Sequence, residues 1–374
     1  MKLIARIKLK PTKKQHTALL KTLEASNAAC DYVSEVAWQT QTFGQFTLHK
    51  LCYAAVRAQF NLGADVAVRV FSKVADSYKL DRKTKRTFNP RGAFPFNDRL
   101  VSYKPDKRIV SIWTVGGREK MPFIIGEHAA SLLRGLRGEC DLVYRKGEFY
   151  LLQCCDIDEP TPKEVDDFLG VDMGIANIAV DSDGDIYQGK TVKSVRYRHR
   201  QLRRKLQTKG TKSAKRRLKK LSGKEQRFAT NTNHVISKIL VAKAKDTVRG
   251  IALEELGGIL ERATTRKPQR ATLRSWSFDK LRRFIEYKAK QAGVVVVAVD
   301  PRNTSRLCPC CGHIDKANRR TQSKFLCVVC GFSGLADHIA AGNIAGRASL
   351  STPNVSARAT RQLGTISTDL SASH

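Results

Sequence analysis

The chain has 374 residues, of which 41% are hydrophobic, and its 68 Lys+Arg against 34 Asp+Glu give a formal net charge of +34. This hydrophobic content can fill one large core or two to three modest domains, which excludes a peptide or a disordered tail. The charge exceeds what solubility needs and indicates a polyanionic partner, a generally adhesive basic protein being the plain alternative. No segment reaches the roughly 18 apolar residues of a membrane span, and the N-terminus lacks a signal-peptide core, so we expect a soluble intracellular protein that binds nucleic acid and no membrane.

The first elements along the chain are a strand and a helical region. Residues 2–10 alternate between charged and apolar side chains, as a half-buried strand does. Thr12 and Gln15 form the capping-box pattern that predicts the start of a helix. A second helical stretch is predicted over residues 48–78, where apolar residues such as Leu51 recur at helical spacing.

Beyond residue 87 the pattern changes to short strands separated by turns. Turn signals of the Pro-Asp, Gly-Gly and Lys-Gly type separate segments rich in β-branched and aromatic residues. The predicted strands cover residues 100–103, 109–115, 122–125, 141–144 and 149–153. We expect a small β domain that the first strand of the chain completes.

The second half of the chain alternates between strands and helices. A long apolar strand is predicted over 168–180, followed by a turn at 181–185 (DSDGD) and a short returning strand at 186–188. The remaining predicted elements are helices at 235–248 and 277–291 and buried strands at 250–253 and 293–299. Strands separated by helices indicate an α/β core, and the Ser/Thr-rich segment 349–374 is predicted to be a disordered tail.

A strongly basic stretch lies within this half. Between Lys193 and Arg227 there are sixteen Lys or Arg and one acid, Glu225, and leucines interrupt the charges at helical spacing. One face of such a helix packs while the other offers contacts to phosphates, although a merely solvated face is the plain alternative. The residues predicted to contact nucleic acid are Arg203, Arg204, Lys205, Arg216, Arg217, Lys219 and Lys220.

Four cysteines form the most specific motif of the sequence. Two C-x-x-C pairs are separated by fifteen residues, and a glycine follows each pair. The pairs are Cys308 with Cys311 and Cys327 with Cys330. They supply the four soft ligands that Zn²⁺ takes in a tetrahedron, and the glycines let each turn fold back around the metal. Four sulfurs leave no open coordination position, so the predicted zinc is structural. Cys310 is not needed as a ligand, and the polar segment 313–324 disfavours a buried set of reduced cysteines.

Three carboxylates indicate a second kind of metal site. Asp172 lies in a predicted apolar strand, where a charge needs a partner or a metal, Glu254 closes another strand, and Asp337 opens a helical stretch. Together they suit two Mg²⁺ ions about 3.5 to 4 Å apart, which activate water and stabilise the leaving oxygen of a phosphodiester. Acids at strand ends are often only caps or solvated turns. Glu255 competes with Glu254, because neighbours in an extended segment face opposite ways.

A different enzyme class also has a motif in the sequence. Residues 184–191 (GDIYQGKT) fit the phosphate-binding loop G-x-x-x-x-G-K-T, which would make the protein an ATPase. The acids of the DSDGD segment would repel a triphosphate, and Ile186 and Tyr187 are typical of a returning strand. The same segment mimics a calcium loop, but Ile186 stands where that loop requires glycine. We therefore expect a hairpin turn here.

Taken together, these residues resemble the TnpB family of insertion-sequence proteins, relatives of the compact type V CRISPR effectors. Residues 170–175 (GVDMGI) are similar to the first RuvC segment of that family, and 251–256 (IALEEL) to the second. The segment Asn303-Thr304-Ser305 leads into the zinc ribbon, and 336–344 (ADHIAAGNI) resembles the third RuvC segment. Strong similarity covers residues 168–345, and the N-terminal half matches in layout.

The resemblance implies an α/β multidomain protein. Its core would be a RuvC-like nuclease domain of RNase H type with an inserted zinc ribbon, preceded by a small N-terminal β-barrel that carries a helical recognition insertion. The implied bounds are 1–10 and 88–160 for the β-barrel wedge, 11–87 for the helical insertion, 161–300 and 337–348 for the RuvC-like domain, and 301–336 for the ribbon. It also implies that Asp172, Glu254 and Asp337 hold the catalytic Mg²⁺, with Glu254 preferred to Glu255. One departure is Ile339, where the family usually has Asn; this position supports the helix and does not ligate metal.

The sequence therefore predicts an RNA-guided DNA endonuclease of the prokaryotic cytoplasm, with guide RNA and target DNA as partners. Guide pairing would select the target, and the protein would read only a short flanking duplex motif. The alternatives are RNA-guided DNA binding without cleavage and a transposase acting by strand transfer. The guide sequence, the flanking motif, the oligomeric state and a transposon or CRISPR context stay open.

Overall fold

The computed structural model describes residues 1–174, 176–255 and 278–351. These residues form two compact units, Met1–Asp158 and a second unit that begins at Glu159. Predictions on Ile175, on 256–277 and on 352–374 lie outside the described residues. They concern the ends of two RuvC-like motifs, the first residue of the helix at 277–291, and most of the predicted tail. No helix among the described residues is long and apolar enough to cross a membrane.

The first unit begins with one strand and three helices. They are β1 (Lys2–Leu9), α1 (Lys13–Gln39), α2 (Gln45–Phe60) and α3 (Ala64–Leu80). The predicted capping box is confirmed: the Thr12 hydroxyl accepts a hydrogen bond from the backbone N–H of Gln15, and the Gln15 side chain accepts one from the N–H of Thr12.

The prediction of a single helical stretch over 48–78 was wrong. Asn61 takes a left-handed conformation with a φ of 51°, which ends α2, and α3 starts three residues later. Leu51, which the spacing placed on the apolar face, is 55% exposed, because the buried face of α2 is formed by Leu48, Cys52 and Val56. A periodic run of apolar residues spans a helix break when both helices bury one face in the same core.

The rest of the first unit is mostly antiparallel sheet. Its elements are β2 (Phe94–Phe96), β3 (Val101–Lys104), β4 (Ile109–Thr114), β5 (Gly117–Ile124), α4 (Glu127–Leu132), β6 (Leu136–Arg145) and β7 (Glu148–Asp156). With β1 they form a seven-stranded sheet of order β2-β6-β7-β1-β5-β4-β3. The first strand joins this sheet, as predicted, and it lies inside the sheet, since β1 pairs with both β5 and β7. Side chains of the sheet such as Ile7 and Leu151 share one core with helical residues such as Leu23 and Phe71.

The second unit contains a five-stranded mixed sheet. Its strands are β8 (Phe168–Asp172), β9 (Asn177–Asp181), β10 (Ile186–Gln188), β11 (Gly250–Glu254) and β12 (Val296–Val299), in the order β10-β9-β8-β11-β12. Strands β8, β11 and β12 are parallel, whereas β9 runs antiparallel to β8. The prediction of one long strand over 168–180 was therefore wrong. The chain reverses after Asp172, which leaves this carboxylate at the end of a buried strand and not in its middle.

Helices cover both faces of this sheet. The described helices of this unit are α5 (Lys190–Lys209), α6 (Lys212–Leu221), α7 (Lys224–Asp246), α8 (Phe278–Ala292) and α9 (Ala336–Ser351). Helices α7 and α8 pack against one face of β8 and β11, and α9 packs against the other. Gly170 permits the close approach of α9, since a Cβ there would lie 2.0 Å from the carbonyl oxygen of Ala341. Because α9 extends to Ser351, the tail predicted to start at 349 begins in a helix.

Candidate metal sites and nucleic-acid surface

The sheet of the second unit brings two of the predicted carboxylates to one edge. Strands β8 and β11 are parallel neighbours, with Val171 opposite Leu253, so Asp172 and Glu254 follow at the carboxyl ends of both strands. Ligand sites in open α/β sheets commonly lie at this edge. Asp337 lies in the first turn of α9, which crosses the same sheet. The fold thus gathers all three acids from segments far apart in the sequence.

The electrostatics of Asp172 reflect this gathering. Burial, followed by the negative charges of Glu254 and Asp337, raises the pKa of Asp172 to about 7, while the positive charge of Arg319 opposes the rise. Burial also raises the pKa of Glu254, against the opposing effect of a hydrogen bond from Thr304. Without a cation, the negative charges of Glu254 and Asp337 disfavour the charged form of Asp172, which is the condition that a bound divalent metal relieves.

The three carboxylates are spread more widely than the ligands of one compact ion. Among the described residues, the four cysteines are the group whose ligand atoms all lie within 4.8 Å of one another, and the carboxylates do not meet this distance. Such a spread is compatible with two ions about 3.5 to 4 Å apart, each held by part of the set.

Both oxygens of Asp337 are held by side chains that the sequence analysis did not single out. The Asn177 amide donates to Oδ2 at 3.1 Å, and the Arg319 guanidinium lies 3.2 Å from Oδ1. Asn177 is the first residue of β9, and Arg319 follows a short 3-10 helix, Lys316–Asn318. No local signal marks Arg319 among the many basic residues of the chain. A carboxylate fixed at both oxygens keeps a defined direction for a ligand.

Glu254 is positioned by a chain of hydrogen bonds. The Thr304 hydroxyl donates to Glu254 Oε1 at 2.5 Å. The Asn343 amide on α9 donates to the backbone oxygens of Thr304 and Leu307 at 2.8 and 2.9 Å. Helix α9 therefore supports Glu254 as well as carrying Asp337.

The neighbouring acid, Glu255, has a different environment. Its side chain is half exposed and forms a two-pronged ion pair with Arg282, at 2.8 and 2.9 Å. The two adjacent acids thus face opposite ways, as the sequence predicts for neighbours in an extended segment. Glu254 is the one that lies beside Asp172.

The four predicted cysteines lie together. Sγ of Cys308 is 3.6 Å from Sγ of Cys330, and Sγ of Cys311 is 3.6 Å from Sγ of Cys327. A tetrahedron with Zn–S bonds of about 2.3 Å sets its sulfurs about 3.8 Å apart, so the arrangement fits this metal. Cys310 is exposed and lies outside the cluster, as expected of a spectator.

The backbone around the cysteines has the predicted turns. Gly312 and Gly331 have φ values of 73° and 74°, in the left-handed region that favours glycine. The buried side chain of Asn318 joins both turns: it donates to the carbonyl of His313 at 3.1 Å and accepts from the N–H of Val328 at 3.0 Å. Strands β13 (Lys324–Leu326) and β14 (Ser333–Leu335) complete a small hairpin.

Ile339 connects this cluster to α9. It is 8% exposed and packs with Ala336, Phe325, Cys308 and Cys327. The position at which the sequence departs from the resembled family therefore holds an apolar contact between the hairpin and the helix that carries Asp337.

The phosphate-loop alternative is contradicted by the fold. Ile186–Gln188 forms β10, paired antiparallel with β9, so an extended strand occupies the place of the required loop. The acids before it are already paired: buried Asp181 accepts from Lys243 at 2.8 Å, and Asp183 pairs with Arg249 at 2.6 Å. These contacts hold a hairpin turn, as predicted, and Gly184 within it has a φ of 96°.

The basic stretch forms α5, α6 and the start of α7. The seven residues predicted to contact nucleic acid are all exposed. One of them, Arg203, also pairs at 2.9 Å with Glu225, the single acid of the stretch. The surface therefore has the charge and the accessibility that phosphate contacts require.

Comparison with known families matches two segments of the chain. Residues 152–256 match the OrfB_IS605 family, described as a probable transposase. Residues 278–344 match a family described as Cas12f1-like, TNB domain. The first segment contains Asp172 and Glu254, and the second contains the cysteines and Asp337.

Curated relatives match about half of the chain. The TnpB-like protein MJ0751 of Methanocaldococcus jannaschii is 35% identical over 164 residues, which cover 40% of this chain and 59% of that protein. InsQ of Escherichia coli (strain K12), named as a candidate RNA-guided DNA endonuclease, is 30% identical over 218 residues, or 53% of each chain. The chain thus spans less than two thirds of the length of these relatives.

One solved structure resembles nearly the whole chain in fold. The mini-RNA-guided endonuclease CRISPR-Cas_phi3 aligns with a TM-score of 0.52 over 95% of this chain and 93% of that chain, at 10% sequence identity. At this identity the likeness concerns the fold alone. It agrees with the mixed α/β architecture that the sequence predicts.

Proposed function

Since the chain belongs to the TnpB family of insertion-sequence proteins, we propose that it is an RNA-guided DNA endonuclease. The observation that carries the proposal is the gathering of Asp172, Glu254 and Asp337 at the carboxyl edge of β8 and β11. A site of three acids in a strongly basic chain suits the hydrolysis of a nucleic-acid backbone. InsQ, a relative that is 30% identical over 53% of this chain, is named for this activity.

The catalytic metal in this proposal is Mg²⁺, in two ions, which when bound would activate water and neutralise charge on the leaving oxygen. Asp172, Glu254 and Asp337 are the ligands that we propose. Asn177 and Arg319 hold the two oxygens of Asp337 in one direction, and Thr304 does the same for Glu254. Asp172 would give up its proton as metal binds, because the cation favours the charged carboxylate.

We also propose the domain organisation that the resemblance implies. The mixed sheet with helices on both faces supports a RuvC-like core of RNase H type over 161–300 and 337–348. The antiparallel sheet supports a β-barrel wedge over 1–10 and 88–160, with the helical insertion at 11–87. The cysteine hairpin supports a zinc ribbon at 301–336, in which Zn²⁺ has a structural role because no coordination position is open.

The proposed partners are a guide RNA and a target DNA. The net charge of +34 is larger than one short duplex requires and suits a structured RNA together with a heteroduplex. If the basic residues of α5 and α6 supply about six phosphate contacts, affinity should fall about 10³-fold between roughly 50 and 200 mM salt. Alanine at the seven predicted positions should flatten this dependence, whereas a merely solvated face would leave it unchanged.

The test of the proposal is RNA dependence of cutting. The full chain is purified, its copurified RNA is sequenced and digested, and a matched double-stranded target is incubated with Mg²⁺, with and without the RNA restored. We expect cutting that requires both the RNA and a matching target. Sequence-specific cutting by RNA-free protein would contradict the guided mechanism, and binding without cutting would favour an RNA-guided DNA-binding protein.

Strand transfer is a second candidate, favoured by the match to a family described as a probable transposase. It shares an acidic metal site with hydrolysis but joins the cut end to another DNA. The same reactions, supplied with a second labelled duplex, distinguish the two: joined products indicate a transposase, and free cut ends indicate a nuclease.

A further inference from the structure

A cavity of about 560 Å³ lies among helices α5, α6, α7 and α8, and none of the predicted metal ligands lines it. Its walls come from the basic stretch and from the two helices packed behind it. The residues that the argument uses are Val192, Arg196, Arg203, Leu221, Glu225 and Ala229. The volume lies within the roughly 300 to 1,000 Å³ range of small-ligand pockets.

The lining combines apolar walls with paired charges. Val192 is buried, and Leu221 and Ala229 are partly buried, so these three side chains give the cavity apolar walls. Glu225 pairs with Arg203 at 2.9 Å and with Arg196 at 3.7 Å, so one carboxylate orients two guanidinium groups. An arginine offers donors to a phosphate and a plane to a base, and a carboxylate accepts from the N–H groups of a base.

We propose that this cavity binds one unpaired nucleotide of the RNA that the protein carries. The proposal rests on the proposed function in that it takes a bound RNA as given, and it adds a specific binding site for it. The base would lie between the apolar walls, its N–H groups facing Glu225, with its phosphate at Arg203.

The location of the cavity favours a nucleotide over other small molecules. Its walls belong to the helices whose outer faces carry the predicted phosphate contacts, including Arg204 and Lys205 on α5. A strand that follows those contacts would therefore lie on the same helices as the cavity. RNA is favoured over duplex DNA because proteins recognise RNA largely through unstacked bases of loops and bulges, held by stacking and by hydrogen bonds to their edges.

The first test fills the cavity. Ala229→Phe places a ring in it without changing charge, and Ala242→Phe makes the same substitution on the exposed face of the same helix. The ring would exclude the base while leaving the phosphate contacts in place, so we expect Ala229→Phe to lower RNA affinity about 10-fold, with Ala242→Phe within about twofold of wild type. Equal affinities of the two variants would overturn the proposal.

A second variant tests the same site in case Ala229→Phe does not fold. Glu225→Gln keeps the side-chain shape and makes the surface more positive. If the stretch were only a charged surface, this change would raise RNA affinity. The pocket predicts the opposite sign, because the change removes the acceptor and releases both arginines; we expect affinity to fall about threefold or more. An increase would overturn the proposal.

Ultraviolet crosslinking of the full chain with its copurified RNA locates the nucleotide. We expect adducts on peptides within residues 192–233 that Ala229→Phe removes and Ala242→Phe retains. Adducts from these peptides to target DNA instead of RNA would overturn the assignment. Guided cutting is assayed separately in the same preparations. If the protein cuts its guided target but the two Phe variants bind RNA equally well, the nucleotide-binding site is refuted and the proposed function stands. If RNA binding depends on the cavity but no guided cutting occurs, the proposed nuclease function is refuted and the binding site stands.

Discussion

The cysteine cluster and the carboxylate site hold their ligands in opposite ways. All four sulfurs come from residues 308–330 and lie within 4.8 Å of one another, so the cluster is closed on itself. The carboxylates come from β8, β11 and α9 and are more widely spaced. One site therefore forms wherever its segment folds, and the other exists only when a whole sheet and a helix are assembled.

The two sites are nevertheless joined. Ala336 and Ile339, on either side of Asp337, pack in the cluster with Cys308 and Cys327. Arg319, which pairs with Asp337, directly follows the asparagine that joins the two cysteine turns. The cysteine cluster, which is closed on itself, therefore supports the position of Asp337, one acid of the carboxylate site.

The largest expected effect on cutting is that of replacing the three predicted catalytic acids. Asp172→Ala, Glu254→Ala or Asp337→Ala should each lower target cutting about 10³-fold or more while sparing binding, because each removes a ligand of the proposed metals. The measurement is the single-turnover rate of cutting at saturating RNA and target.

Glu255→Ala is the matched control for Glu254→Ala. It removes a half-exposed ion pair with Arg282 and should change the cutting rate less than threefold. A loss with Glu255→Ala equal to that with Glu254→Ala would refute the assignment. Loss of activity with Lys190→Ala, together with survival of the three acid variants, would restore the phosphate-loop interpretation.

The second prediction tests whether the closed site frames the open one. Cys327→Ser should abolish binding of one zinc per chain and lower cutting about 100-fold, because Asp337 and Arg319 lose their support. Zinc is measured by elemental analysis. Cys310→Ser is the control and should retain both metal and activity. Well-folded wild-type protein without zinc would refute the zinc site. Full activity of zinc-free Cys327→Ser would show that the cysteine cluster does not support Asp337.

The third prediction concerns stability and pH. In the folded, metal-free chain the pKa of Asp172 is raised to about 7. Well below pH 4 the Asp172 carboxyl is protonated in both the folded and the unfolded states and does not change the free energy of unfolding. As pH rises towards 7, the unfolded state loses the proton more readily, so stability is lost.

Asp172→Asn removes this cost. In EDTA at pH 8 the variant should unfold with a free energy on the order of 2 kcal/mol higher than wild type, and the difference should shrink at pH 5. Urea unfolding at both pH values measures it. Mg²⁺ should stabilise the wild type more than the variant. A variant that is less stable than wild type at pH 8 would contradict the effect of burial.

The smallest expected effect on cutting tests the hydrogen bond from Asn177 to Oδ2 of Asp337. Asn177→Ala should slow cutting about 10-fold, the cost of one hydrogen bond to a charged group, and higher Mg²⁺ should partly restore the rate. Asn231→Ala, an exposed asparagine on α7, is the control. A loss that is the same at every Mg²⁺ concentration would exclude positioning of a metal ligand.

Much of the local structure was predictable. The capping box at Thr12, the two cysteine turns with their glycines and the hairpin at 181–188 all follow from residues a few positions apart. The single long strand over 168–180 and the single helix over 48–78 were wrong, because hydrophobic periodicity continues through a reversal or a break when both parts face one core. Strand β2 and helix α4 were not predicted, being only three and six residues long.

The sequence by itself determined which residues are the candidates for the chemistry: four cysteines at metal-binding spacing, three acids at the ends of predicted elements, and a basic stretch with one acid. The tertiary structure alone decided which side chains support them. Asn177 lies 160 residues along the chain from Asp337, and Thr304 lies 50 residues from Glu254. Arg319 is nearer to its partner, 18 residues before Asp337. The physical reason is that turns and caps depend on spacing along the chain, whereas the raised pKa of Asp172 and the pairing of Glu225 depend on distances through space.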